Sequence, residues 1–234
     1  MADVEDGANI IIDFSHKITL IRYLGNTMTP VSLKMRAEVF PSDTALEIDF
    51  DVTFSKIKFW FETVISRSVV FCRSNLTAMD MLLNDTGKPR VINHLMVTPF
   101  EPTDEHLAVL FQSKMTAFSK GSMEFGCVRI EAAEGGLVFT YVGDWRDDLP
   151  DMDDWFPMKP YYFEIPWWQR DDASTLDVIA TDADITQAPS WAYSLDFIEK
   201  AIRPNKAATP QPEEVVIRGA FRPKIISGGK EDTD

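Results

Sequence analysis

The chain has 234 residues, 23 basic against 37 acidic, with a formal net charge of −14. At 45 % hydrophobic residues this length builds a sizeable core and argues against wholesale disorder. The charge argues against broad electrostatic binding to nucleic acid or to an anionic membrane, and no apolar run approaches the ~20 residues that span a bilayer.

The opening residues, MADVEDGA, are acidic where a secretory leader is basic. The two cysteines, Cys72 and Cys127, cannot form a disulfide framework for a chain of this size. Both have apolar neighbours and read as small buried hydrophobes. A cytoplasmic protein is expected.

Residues 1–8 read as an acidic tail, and 9–203 as a single domain. Asn9–Phe14 and Lys17–Leu24 are apolar and β-branched, and predict strands separated from the next by a Gly25-Asn26 turn. From Val31 to Val39 apolar residues alternate with Ser32, Lys34, Arg36 and Glu38, which predicts a half-buried strand. Leu46–Phe54 alternates in the same way, so the two are expected to pair antiparallel, with basic side chains facing acidic ones. Ile57, Trp60, Phe61, Val64 and Ile65 then follow helical spacing, with Thr53 or Ser55 as the cap.

Asn75 is placed to cap a short helix, and Val91–Thr98 reads as a strand. Thr103 followed by Asp104 and Glu105 starts a helix, striped by Leu107, Leu110, Phe111, Met115 and Phe118 and ended by Gly121. Met123–Ala132 and Leu137–Val142 form a hairpin about Glu134-Gly135-Gly136. Leu176–Ala180 predicts another strand, and Trp191, Leu195, Ile198 and Ile202 a last helix. A Pro-rich linker (204–214), a β-prone arm (215–226) and a polar tail (227–234) follow. Strands in runs with helices between them predict an α+β fold: a mainly antiparallel sheet with three or four helices on one face.

Motifs for catalysis are missing from the sequence. No phosphate-binding glycine loop and no GxSxG elbow follows a strand, and His16, His94 and His106 are not paired at metal spacing. No cofactor is expected. The segment 144–172 stands apart as a long acidic and aromatic loop. Residues 144–184 carry 3 basic and 12 acidic side chains, together with Trp145, Trp155, Trp167, Trp168, Tyr161, Tyr162, Phe156 and Phe163. Such a mixture either lids the core, rings inward and acids outward, or forms a contact surface.

The expected function is a non-enzymatic interaction or assembly module. Its binding residues would be Trp145, Trp155, Trp167, Trp168, Tyr161, Asp147, Asp148, Asp151, Asp153 and Asp154, acting on a protein with a basic surface. The arm 215–226 offers a route to a homo-oligomer. One alternative is a divalent-metal-dependent phosphoester hydrolase, in which carboxylates such as Asp151 and Asp153 hold the ion and His94 assists. Another is an acidic decoy that presents carboxylates in place of the phosphates of a nucleic acid.

Overall fold

The structure is a computed structural model, and it describes residues 12–66, 68–81, 95–133, 136–157, 163–177 and 193–203. The acidic tail, the linker, the arm and the polar tail lie outside these residues, as do His94 and Tyr161.

The fold is α+β. Among the described residues, six strands form one mixed sheet: β1 (Ile12–Leu24), β2 (Thr27–Pro41), β3 (Val69–Cys72), β4 (Leu95–Thr98), β5 (Met123–Ala132) and β6 (Val138–Tyr141). Their order across the sheet is β4-β3-β1-β2-β5-β6. The β1-β2-β5-β6 part is antiparallel throughout, as expected, whereas β3 and β4 join parallel to their neighbours.

β1 is one continuous strand that turns into β2 through Gly25-Asn26. Gly25, at φ 56°, takes the left-handed backbone that so tight a turn requires. In β2 the alternation places Leu33, Met35, Ala37 and Val39 in the core and leaves Arg36 exposed. Ile18 and Leu20 of β1 and Val128 and Ile130 of β5 extend that apolar face.

The strand expected over Leu46–Phe54 is instead the start of helix α1 (Glu47–Phe59), which continues to Ile65 with π-helical geometry. Asp49 accepts the Leu46 N–H at 2.9 Å, Glu47 and Asp49 face the positive end of the helix dipole, and Lys56 and Lys58 lie in its last turn. Thr53 and Ser55 therefore sit inside the helix and cap nothing. β2 pairs with β1 and β5, so Asp49 meets Arg203 rather than a lysine across a ladder. Ile57, Trp60, Phe61, Val64 and Ile65 are all buried, as their helical spacing requires.

Helix α3 (Asp104–Ser119) is the centre of the molecule. Thr103 caps it by accepting the His106 N–H at 3.3 Å. The His106 ring completes this start, with Nδ1 2.7 Å from the Glu101 carbonyl. The helix closes at Lys120, which is left-handed at φ 52°, followed by Gly121. It packs on β5 and α1, and residues 145–148 and 167–170 cover it further, so it is buried almost all round.

Shorter helices are α2 (Leu76–Met79), capped by Asn75, then α4 (Trp145–Asp148), α5 (Met152–Trp155) and α6 (Asp196–Ile202). Leu176 and Asp177 belong to no strand, and the rest of the strand expected at 176–180 lies outside the described residues. Cys72 is buried, whereas Cys127 is half-buried. No helix among the described residues is long and apolar enough to cross a membrane.

Phe111 is fully buried and meets Trp60 and Phe61 edge-on, at ring centroids of 6.1 and 5.2 Å. Phe111→Ala is expected to destabilise the fold by about 3–5 kcal/mol in urea denaturation. A loss under about 1 kcal/mol would mean that α3 is not the centre of the core.

Candidate functional site

The acidic and aromatic segment divides cleanly between inside and outside. Trp155, Trp167 and Trp168 are core residues, the last two 0 % exposed. They pack at ring centroids of 5.1 Å (Trp155–Trp168) and 5.5 Å (Trp167–Trp168), and Trp167 reaches Trp60 on α1 at 6.4 Å. These three rings are therefore unavailable to a partner, which corrects their expected place on a contact surface. The reason is α3: Leu107, Leu110 and Phe118 are buried, and Ser113 and Lys114 bond to the main chain of residues 167–170, so the segment that covers the helix brings large apolar rings with it. Trp145 is half-buried, with the Arg146 guanidinium 5.0 Å above its ring.

Polar wiring holds the cover in place. Asp177 is its hub: one carboxylate oxygen accepts from Trp155 Nε1 (2.9 Å) and from the Trp167 amide (3.0 Å), and the other pairs with Arg170 at 2.7 Å. Arg170 also donates to the Ile165 carbonyl at 2.9 Å and lies 3.7 Å above the Phe163 ring. Trp167 Nε1 donates to the Val97 carbonyl at 2.9 Å, and the Val97 amide donates to Thr175 at 2.9 Å. The segment thus runs along the outer edge of β4.

Beneath it lies Lys114, 0 % exposed. Its ammonium donates to the carbonyls of Trp167 (2.9 Å) and Arg170 (2.8 Å), with Asp172 at 3.6 Å. Burial pulls its pKa down to about 7, against the opposing pull of Asp172. Sequence reasoning passed over Lys114, although it interrupts the apolar stripe of α3, one turn from Leu110 and Phe118.

The carboxylates face the other way. Asp144, Asp147, Asp148, Asp151, Asp153 and Asp154 are all exposed. Asp144 caps α4 by accepting the Arg146 N–H at 2.9 Å, and that bond holds its carboxyl below the usual range. Asp151 caps α5 by accepting the Asp154 N–H at 2.9 Å. Asp148 accepts from the Tyr141 hydroxyl, which ties α4 to β6; burial first and this carboxylate second raise the phenol's pKa. The result is an acidic shelf beside the end of the sheet. Among the described residues no group of three or more His, Cys, Asp or Glu side chains is placed to hold a metal ion.

A cleft of about 290 Å³ opens between α1, the Ser119–Ser122 turn and α6. Lys56, almost wholly buried, lines it with Lys120, Asp49, Glu199 and Arg203. Lys120 pairs with Asp171 (3.0 Å) and Glu199 (3.5 Å), and Arg203 with Asp49 and Glu199 (3.3 Å). Lys56 has Asp171 and Glu199 at 3.9 and 4.0 Å, and burial lowers its pKa. This mutual cancellation fastens α6 to α1.

Comparison with protein-family models gives no match, and comparison with curated proteins gives none.

Two outcomes test the wiring. The folded-state pKa of Lys114 lies below its unfolded value of 10.5, so from about pH 7 to 10 the unfolded chain holds a proton that the folded chain has released. Raising the pH through that window therefore stabilises the fold. The urea midpoint should climb more steeply in the wild type than in Lys114→Met, and equal slopes would refute the assignment. Asp177→Ala, which leaves Arg170 paired with Asp172 alone and strands two N–H donors, should destabilise by about 2–5 kcal/mol.

Proposed function

We propose that the protein is a non-enzymatic interaction module that holds a partner protein with a basic surface on the acidic shelf of α4 and α5. The observation that supports this reading is the outward placement of all six carboxylates of residues 144–154 on one short stretch, anchored by interior tryptophans. A rigidly backed acidic surface steers a cationic partner and repels acidic ones, and its strength falls with salt. Its binding residues are Asp147, Asp148, Asp151, Asp153 and Asp154, with Trp145 at the margin.

Neither alternative has a comparable observation behind it. The hydrolase requires carboxylates that converge, and those of 144–154 point outward from two consecutive helix starts. The decoy requires acids spaced along an extended face, and these occupy one shelf.

The probe is an oligolysine peptide titrated against the full chain. Its hydrogen-exchange footprint should fall on residues 144–154, and Asp147→Asn/Asp151→Asn/Asp154→Asn should weaken binding at least about tenfold. These side chains are exposed, so the variant should keep the wild-type melting temperature to within a few degrees. Undiminished binding by the folded variant, or a footprint elsewhere, overturns the proposal.

A further inference from the structure

The two outer strands of the sheet are treated differently. β4 is covered along its free edge by the segment carrying Thr175, whose hydroxyl also donates to the Leu95 carbonyl at 2.6 Å. β6 pairs with β5 alone among the described residues. Natural edge strands are usually blunted by charge, proline or a bulge. Residues 137–142, LVFTYV, have none of these, and Leu137, Val138 and Val142 are 90, 53 and 78 % exposed. An uncharged, β-branched, open edge of this kind is built to receive another strand.

We propose that the occupant is the segment 215–226 of the same chain. Its sequence, VVIRGAFRPKII, is β-prone and carries Arg218, Arg222 and Lys224 with no acidic residue. The β6 edge is flanked by the opposite charge: Asp148 is bonded to Tyr141 of β6 and Asp147 shares its helix, while Asp144 at the helix start is paired with Arg146. Reach permits the docking. Arg203 lines one cleft with Ser122, next to the start of β5. The stretch of β5 from Ser122 to Val128, where the pairing with Tyr141 begins, is about 20 Å long at ~3.3 Å per residue. Residues 204–214 extend to as much as ~36 Å. The shelf then meets a basic segment of its own chain first, so an external basic partner competes with the arm. That last step rests on the function proposed above, whereas the docking itself does not.

The test is a charge-swap cycle in the full chain, read by hydrogen exchange at the β6 amides, with the α3 amides reporting that the core stays folded. Val138→Lys/Val142→Lys places like charge beside the arm, and Arg218→Glu/Arg222→Glu/Lys224→Glu reverses the arm. Each variant alone should speed β6 exchange at least tenfold over the wild type, and the combination should restore slow exchange. Equal β6 exchange in all four proteins overturns the docking, as does a combination that fails to restore protection. Wild-type protection that rises with protein concentration assigns the edge to the arm of a second copy and overturns docking within one chain. A missing oligolysine footprint alongside an intact cycle would sink the proposed function and leave the docking standing.

Discussion

A single buried ammonium organises this molecule. Lys114 sits in the middle of α3 with no exposed surface, and removing an ammonium from water costs several kcal/mol unless its protons find acceptors. Two of those acceptors are main-chain carbonyls of Trp167 and Arg170, so the covering segment cannot slide along α3 without stranding the N–H donors of this nitrogen. Asp172 adds a carboxylate on the same side. The aromatic rings supply burial, which is non-directional. The lysine supplies direction, because only one placement of the 165–172 backbone brings both carbonyls to the same nitrogen.

The acidity of residues 144–154 has a structural origin before it has any other. Asp144 and Asp151 are N-caps, and Asp147, Asp148, Asp153 and Asp154 occupy the first turns of α4 and α5, where the helix dipole favours negative charge. Each helix is only four residues long and could not persist on propensity alone. The caps and the inward anchors, Leu149, Met152 and Trp155, hold them together. Alternating anchors and caps along the chain sends rings in and carboxylates out, so a surface of concentrated charge arises without any buried unpaired acid.

Much of this was legible in the sequence, and the failures have definite causes. The period-2 pattern of Val31–Val39 and the Gly-rich turn before Leu137 are local signals, and β2, β5 and β6 follow them. Residues 46–54 carry the same alternation yet form α1, because Val52 also fits a helical stripe that continues through Lys56, Trp60 and Val64. Asp49 also accepts the Leu46 N–H at the helix start, and such a bond leaves little trace in hydrophobic period. Lys56 and Lys114 each break an apolar helical stripe, a readable sign of a buried cation. The parallel joining of β3 and β4, and the bond from Asp177 back to Trp155, are set by long-range packing that no local window contains. The aromatic density of 144–172 was visible, but composition alone does not say which way a ring points.

The asymmetry of the sheet follows from the same long-range packing. The segment wired to Lys114 and Asp177 has to leave α3 somewhere, and the hydrogen bonds from Thr175 and Trp167 carry it along β4. One covering segment cannot guard both edges, because β4 and β6 lie at opposite ends of a six-strand sheet. Among the described residues β6 has no second strand partner, so what could guard that edge is a charge on the strand, a partner, or another part of the chain. The strand has no charge; Glu131 lies across from Val138 on β5, and Asp148 on α4 is bonded to Tyr141. Carboxylates in that position attract a basic strand and repel a second copy of this edge, which brings its own Asp147 and Asp148, so the local electrostatics favour a basic chain there.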